Sequence, residues 1–275
     1  MDARSGSIDL ACSRIAAMVS QLRQMAISAR DASAGANVEL EVRLGRIADQ
    51  GGAFQVGVTR DTMDELLRGV EAFEGWSSVG DWEESHDFYY RIDGGMPVRS
   101  TVLFDAAACV IERRHMRKVS LMRMDLRHIH SSGSPPPSEF VDARVDLSME
   151  EPVSEGVLPL VVNEFTLVRI KQRRSFLLRA RGAPDSDPPA WRYDFTFSWA
   201  GRTKAEAEHM QKTAAPVCEV EIELAGADAY MRKPEHTDAS TAASLLMKVA
   251  DFVGRDEESV FHFEPVQRSV PLGVA

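Results

Sequence analysis

Charged residues recur at every second position in three short runs of the chain. Two runs are acidic and one is basic: Glu39 and Glu41, then Glu219, Glu221 and Glu223, and between them Arg169, Lys171 and Arg173. Side chains at positions i and i+2 of a β-strand lie on one face, about 7 Å apart. Each run would therefore form a row of like charges, and we call these the acid rows and the basic row.

Such rows favour a site for a metal and a polyphosphate. Like charges destabilise one another unless opposite charges compensate them. Mg²⁺ and Mn²⁺ prefer carboxylate oxygens, whereas Arg and Lys clusters bind phosphate groups. The simpler alternative is a set of half-buried strands whose charged faces meet water. Acids and bases sorted onto separate strands favour the site.

Five segments would have to position these rows as strands. In each of them apolar residues alternate with charged ones, over 38–44, 144–150, 168–173, 192–197 and 219–224. This period of two predicts β-strands. The pattern indicates a closed sheet that is apolar outside, under helices, and charged inside around an anionic ligand and its metal.

Helices are predicted at both ends of the chain and between strands. Apolar spacings of three and four predict helices over 8–30, about 63–73 and about 240–253. Thr62 with Glu65 suggests a capping box at the second helix, and Thr203 with Glu206 suggests one for a further short helix. The remainder reads as strands and loops, without an internal repeat.

The composition excludes several classes of protein. The chain has 275 residues and a formal net charge of −10, so it does not hold nucleic acid by bulk charge. Its three cysteines, at widely spaced positions, give no disulfide framework or zinc pattern. We expect no transmembrane helix, because no apolar run reaches about 18 residues, and no secretory leader.

Three motifs together resemble a known family. They are Val-Glu-Leu-Glu-Val-Arg-Leu-Gly (38–45), Arg-Ile-Lys-Gln-Arg-Arg-Ser-Phe (169–176) with Trp-Arg-Tyr-Asp-Phe-Thr (191–196), and Cys-Glu-Val-Glu-Ile-Glu-Leu (218–224). In type and order they resemble the metal-dependent RNA 5′-triphosphatases of fungal and protozoan mRNA capping, which are triphosphate tunnel metalloenzymes. The resemblance implies an α+β fold: a closed antiparallel eight-stranded β-tunnel with a charged interior, flanked by several helices. It implies one catalytic domain over 1–275, with a helix packed outside at 1–33 and a tail at 265–275.

The resemblance also implies a role for each matching residue. The metal ligands would be Glu39, Glu41 and Glu223. The catalytic set would comprise Arg99, Lys171 and Arg173 on the γ-phosphate, Glu150 orienting the attacking water, and Glu221 holding metal-bound water. Substrate-binding and bracing positions would be Arg113, Arg169, Arg192, Asp194, Thr196 and Glu219. Arg113 stands where the family presents an inward lysine, and Asp87 matches a tunnel aspartate loosely.

The implied function is removal of the γ-phosphate from triphosphate-ended RNA with Mg²⁺ or Mn²⁺, and hydrolysis of NTPs. Two alternatives stay open: a general tripolyphosphatase or nucleoside triphosphatase with the same tunnel, and a non-catalytic phosphate- or RNA-binding module. The resemblance further implies a separate guanylyltransferase partner and nuclear localisation, without DNA or membrane binding. His128 and His130 are interpreted as a solvent-facing pair, and Trp191 and Trp199 as packing residues.

Overall fold

The computed structural model describes most of the chain. The described residues are 3–32, 37–48, 53–91, 97–105, 107–128, 141–157, 165–179, 183–184, 187–227, 230, 233, 236–253 and 263–266. Within them no helix is long and apolar enough to cross a membrane.

Strands are the commonest regular structure in the described chain. In chain order they are β1 (Asn37–Ile47), β2 (Phe54–Val56), β3 (Ser78–Val79), β4 (Glu83–Arg91), β5 (Pro97–Phe104), β6 (Val110–His128), β7 (Asp142–Pro152), β8 (Phe165–Leu178), β9 (Trp191–Gly201), β10 (Val217–Leu224) and β11 (Phe263–Val266). The helices are α1 (Ala3–Ala32), α2 (Arg60–Glu71), α3 (Lys204–Thr213) and α4 (Asp238–Val253). A short 3-10 helix covers Glu155–Val157.

Eight of the strands close into an antiparallel barrel. Neighbouring strands pair in the order β10-β9-β8-β4-β5-β6-β7-β1, and β1 then pairs with β10 to complete the ring. The short strands β2, β3 and β11 pair with β1, β8 and β6 and stand outside this ring. The predicted closed eight-stranded tunnel is thereby confirmed.

The apolar face of the barrel wall points outward, under the helices. On β1 the side chains of Val38, Leu40, Val42 and Leu44 are all buried. They belong to one hydrophobic cluster with residues of α1, α2 and α4, including Ile15, Leu22, Met63, Leu245 and Val249. Because the outward face buries the apolar half of strands such as β1, their alternating charged half is left facing the tunnel.

Two element boundaries differ from the sequence predictions. Helix α2 begins at Arg60, and its N-cap is Thr59, whose side chain accepts a hydrogen bond from the Thr62 backbone N–H. Thr62 therefore lies inside the first turn. Towards the other end of the chain, β11 includes Pro265 and Val266, which pair with Leu126 and Asp125. These two residues therefore belong to a strand and not to the tail expected over 265–275.

Candidate active site

The strands that close the barrel place the two acid rows side by side. Across the β1–β10 seam, Glu41 is opposite Glu223 and Arg43 is opposite Glu221. Residues directly opposite each other in an antiparallel pair share one face of the sheet. Glu39 and Glu41 are 9% and 4% exposed, so these carboxylates lie inside the tunnel away from bulk water.

A lysine that the sequence interpretation did not single out lies between the glutamates of β1. The Lys118 Nζ is 2.9 Å from Glu39 Oε2 and 3.0 Å from Glu41 Oε1. Burial alone would lower the pKa of Lys118, but these two carboxylates raise it above its ordinary value. The sequence carried no signal for its orientation, because β6 is charged on both faces and its pairing with β7 has an irregularity between Ser120 and Met122.

Two guanidinium groups hold Glu221. Arg43 Nε lies 3.0 Å from Glu221 Oε1, and Arg173 Nη2 lies 3.1 Å from Glu221 Oε2. Burial opposes ionisation of this carboxyl group, yet Arg43 and Arg173 together lower its pKa well below the ordinary value. Glu221 is therefore a fixed anion in the wall.

The surroundings of Glu223 shift its pKa in the opposite direction from that of Glu221. Its carboxylate pairs with Arg192, which also binds Asp194 at 3.1 Å. Burial, with the negative charges of Glu39, Asp194 and Glu41, outweighs Arg192 and raises the pKa of Glu223 to about 8. This side of the tunnel thus carries more carboxylates than its own cations neutralise.

The basic row of β8 lines the tunnel together with its counter-ions. Lys171 pairs with Asp87, whose other oxygen accepts a 2.6 Å hydrogen bond from Thr101. Burial opposes the ionisation of Asp87, but Lys171 and Arg99 lower its pKa below the ordinary value. The loosely matched Asp87 is therefore a tunnel residue, at 1% exposure.

Arg173 and Arg169 are braced by the neighbouring strands. Arg173 contacts Asp194 at 2.9 Å and donates to Thr196 Oγ1 at 3.1 Å. Arg169 pairs with Glu219 and donates to Ser198 Oγ at 3.0 Å. The structure therefore brings Asp194, Thr196 and Glu219 into direct contact with the basic row.

The predicted water-orienting residue, Glu150, is held by the predicted phosphate ligand Arg99. Arg99 Nη2 lies 2.8 Å from Glu150 Oε1, and Glu150 is 8% exposed. Tyr89, opposite Arg99 on β4, and Lys118, opposite Glu150 on β6, lie on the same inner face. Strands β5 to β7 thus add a cation and a carboxylate beside the rows of β1 and β8.

Arg113 does not reach the tunnel, which corrects its expected position. Arg113 is opposite Val102, whereas Arg114 is opposite Thr101, the inward partner of Asp87. Arg113 therefore lies on the outer face, where its nearest charge is Glu155 at 3.8 Å. Arg114 lies on the tunnel face and pairs with Glu112. The charges of β6 fall on both faces, so alternation did not select the inward arginine.

A second ionic cluster on β6 and β7 was also missed. Asp146 accepts hydrogen bonds from Ser120 at 2.7 Å and Arg123 at 2.9 Å. Further along the same strand pair, Arg144 binds Asp125, and its guanidinium lies 4.5 Å above the ring of Phe54. These groups neutralise one another and leave no unpaired charge among those named.

The donor chemistry of the acid rows fits a hard divalent cation. Glu39, Glu41 and Glu223 offer only carboxylate oxygens, and burial together with the neighbouring carboxylates raises the pKa of Glu223. Carboxylate oxygens in such a place are the ligands that Mg²⁺ and Mn²⁺ prefer. No three such groups of the described residues converge as closely as metal ligands do. The contacts explain this spacing, because Lys118 and Arg192 separate the carboxylates.

The remaining candidates have mixed outcomes. Trp191 is 2% exposed in the core, and Trp199 donates its indole N–H to the Ala214 carbonyl at 3.1 Å, so both act in packing. His130 lies outside the described residues, as does the side chain of His128.

Comparisons with known proteins show similarity in fold alone. No protein-family model and no curated protein sequence matches the chain. Among solved structures, the S. pombe Pct1 RNA triphosphatase is 14% identical, with a TM-score of 0.58 over 87% of this chain and 92% of that one. A second Pct1 structure, in complex with the Spt5 CTD, is 13% identical over the same shares, with a TM-score of 0.55. The RNA triphosphatase domain of a mimivirus mRNA capping enzyme is 13% identical over 84% of this chain and 96% of that one, with a TM-score of 0.48.

Proposed function

We propose that this chain, which has the tunnel fold of the Pct1 RNA triphosphatase, is a divalent-metal-dependent RNA 5′-triphosphatase that releases the γ-phosphate from triphosphate-ended RNA. One observation carries the proposal: the acid rows and the basic row line the same closed barrel, with Glu39, Glu41, Glu219 and Lys171 buried in it. A barrel interior of this kind suits a polyanion accompanied by a cation. The similarity of fold and the three sequence motifs support the same conclusion.

The chain's own residues suit in-line attack by water on the γ-phosphorus. Arg99, Lys171 and Arg173 would neutralise charge spread over the equatorial oxygens of the transferring group. Their side chains are held in advance by Glu150, Asp87 and Asp194, so little reorganisation accompanies the reaction. Preorganised charge of this kind is worth about 10²- to 10³-fold in rate for each donor.

Glu150 would orient the attacking water. Its Oε1 accepts the 2.8 Å contact from Arg99, which leaves Oε2 as a second acceptor. Positioning matters more than the pKa for this role, provided that the carboxylate lies within hydrogen-bond reach of the water. A divalent cation bound by Glu39, Glu41 and Glu223 would supply further neutralisation of the phosphate oxygens.

The test is a phosphate-release assay on triphosphate-ended RNA and on ATP, with Mg²⁺, with Mn²⁺ and without metal. Glu41→Gln and Glu223→Gln should abolish release, because each removes a carboxylate of the metal set. Glu208→Gln, on the exposed side of α3, is the matched control and should retain activity.

The ratio of the phosphate-release rates from RNA and from ATP distinguishes the candidate functions. Faster turnover of RNA than of ATP supports the capping reaction, and equal turnover of all triphosphates indicates a general triphosphatase. If the folded native chain releases no phosphate from any triphosphate, the enzyme proposal is wrong and a binding module remains.

Under this proposal the chain works in the nucleus beside a separate guanylyltransferase, which would cap the diphosphate end it produces. Hydrolysis of free NTPs would be a side activity of the same tunnel. Microscopy of a fluorescent fusion in the source cells tests the location, and exclusion of the fusion from nuclei would contradict it.

A further inference from the structure

Lys118 occupies the space between the two glutamates of β1. Its Nζ lies 2.9 Å from Glu39 Oε2 and 3.0 Å from Glu41 Oε1, so one ammonium group bridges two carboxylates. These are the carboxylates that the proposed function assigns to the metal. A cation is therefore already present where the tunnel would receive a divalent one.

Lys118 is held less rigidly than the arginines of the tunnel. Arg173 is fixed by three groups on two strands, and Arg43 by Glu41 and Glu221. Lys118 binds only through a compact ammonium group at the end of a flexible side chain. Unlike an arginine, it can reorient without breaking a planar, bidentate contact. Its side chain is 26% exposed, so water can reach it.

Glu39 depends on Lys118 for its positive partner. Within the described part of the chain, Lys118 is the only cation in ion-pair contact with Glu39, whereas Glu41 is also bound by Arg43 at 2.9 Å. When the ammonium moves away, Glu39 becomes a buried carboxylate that needs another cation. A divalent ion supplies that charge with the oxygen ligands it prefers.

We propose that Lys118 is a built-in counter-ion that competes with the divalent metal for Glu39 and Glu41. In the absence of metal its single positive charge bridges both carboxylates and offsets part of their mutual repulsion. When metal binds, the ammonium leaves this position, so the affinity for metal is set partly by the cost of displacing it. This inference rests on the proposed function, because it takes Glu39 and Glu41 to be metal ligands.

Direct binding of Mn²⁺ to the full chain, measured by calorimetry without substrate, tests the competition. Lys118→Met deletes the ammonium and keeps much of its apolar stem, and it should bind Mn²⁺ about tenfold more tightly, equivalent to about 1.4 kcal/mol. Lys118→Gln should shift affinity in the same direction. Lys204→Met is the matched control, because Lys204 pairs with Glu208 on α3, outside the tunnel. An unchanged or weaker affinity in both Lys118 variants would overturn the proposal.

Thermal unfolding with and without Mn²⁺ gives a second readout. Lys118→Met should melt below the native chain without metal, because Glu39 loses its ion-pair partner and Glu41 keeps only Arg43 among the described residues. It should gain more than the native chain when Mn²⁺ is added. A lower melting temperature with an unchanged gain means a purely structural lysine and overturns the proposal. If neither chain binds Mn²⁺, the metal site of the proposed function fails as well; if both bind it equally, only the counter-ion role fails.

Discussion

Arg173 illustrates how much a single side chain contributes to the tunnel. Its guanidinium reaches Asp194 at 2.9 Å, Glu221 at 3.1 Å and Thr196 at 3.1 Å. Burial disfavours the charged form, but the carboxylates of Asp194 and Glu221 raise the pKa of Arg173 further. The planar fork joins two strands and presents a permanent charge to the tunnel.

Arg173→Lys should distinguish the contribution of the positive charge from that of the planar hydrogen-bonding geometry. Lysine retains the positive charge but cannot reach three acceptors with one planar group. We expect a loss of about 1.5–3 kcal/mol in the free energy of unfolding, the value of one hydrogen bond to a charged group. Phosphate release should fall by about 10²-fold. Urea denaturation and the release assay measure these effects, with the exposed Arg202→Lys as the control; native values for Arg173→Lys would refute the role.

His86 should make stability depend on pH. It lies on the outer face of β4 beside Glu84, near Phe104 and under Lys204 and Glu208 of α3. Burial lowers the pKa of His86, although Glu84 opposes the shift. The folded chain therefore prefers the neutral ring. Its stabilising effect is complete above the unfolded pKa of about 6.5 and is lost as pH falls through the lower folded pKa.

The measurement is the melting temperature between about pH 7.5 and pH 5, a window that spans the ordinary His pKa. His86→Phe should reduce the drop that the native chain shows on acidification. His209→Phe, at an exposed position of α3, should leave that drop in place. Equal drops in the native chain and His86→Phe would show that His86 is not the group responsible.

The residues predicted from the sequence and those it missed differ in a physical way. On β1, β8, β9 and β10 one face is apolar, so alternation identified Glu39, Lys171 and Asp194 as inward. On β6 both faces carry charge, with Arg113 outside and Arg114 and Lys118 inside. Alternation along β6 therefore does not indicate which of its side chains point into the tunnel. Only the pairing of β6 with β5 and β7 determines this.

Helices and strands show the same contrast at the scale of the element. Periodicity predicted α1, α2, α4 and five barrel strands near their observed positions, and a capping-box pattern predicted α3. Caps were less predictable: Thr203 does cap α3, accepting from the Glu206 N–H at 3.1 Å, but α2 is capped by Thr59. Two threonines three residues apart can each act as a cap, and the choice depends on where the chain leaves the barrel wall.

Thr59→Ala should weaken α2 more than Thr62→Ala does. Thr59 Oγ1 accepts from the Thr62 N–H at 3.2 Å, and alanine would leave that donor of the first turn to water. Loss of such a cap costs about 1 kcal/mol. Thr62→Ala removes only the hydroxyl contact between the two side chains. Thermal unfolding of both variants decides the order, and a larger loss for Thr62→Ala would restore the original capping assignment.

At the scale of the whole molecule, the closed ring is what creates the site. Alternation predicted which faces are charged and indicated a closed sheet, but the number of strands came from the family resemblance. The chain is acidic overall, yet the basic row of β8, with Lys171 buried, lines the tunnel interior. Net charge therefore says little about the ligand, because the barrel separates the tunnel from the outer surface.

A triphosphate with a divalent metal should stabilise the whole barrel. Ligands that bind only the folded state raise its stability by about 2.7 kcal/mol at 100 times the dissociation constant. We expect Mn²⁺ with tripolyphosphate to raise the melting temperature of the native chain and to raise that of Glu223→Gln less. An equal rise with sulfate in place of tripolyphosphate would mean that any anion suffices, which would contradict a triphosphate site.

The β1–β10 seam has a consequence for how the protein folds. Glu41 and Glu223 meet across it, although β1 lies near the beginning of the barrel sequence and β10 near its end. Contacts between distant parts of a chain form late and slow the folding of β-rich domains. Affinity for the metal should accordingly be absent from early refolding intermediates and appear only in the slowest kinetic phase, when the first and last strands of the ring come together.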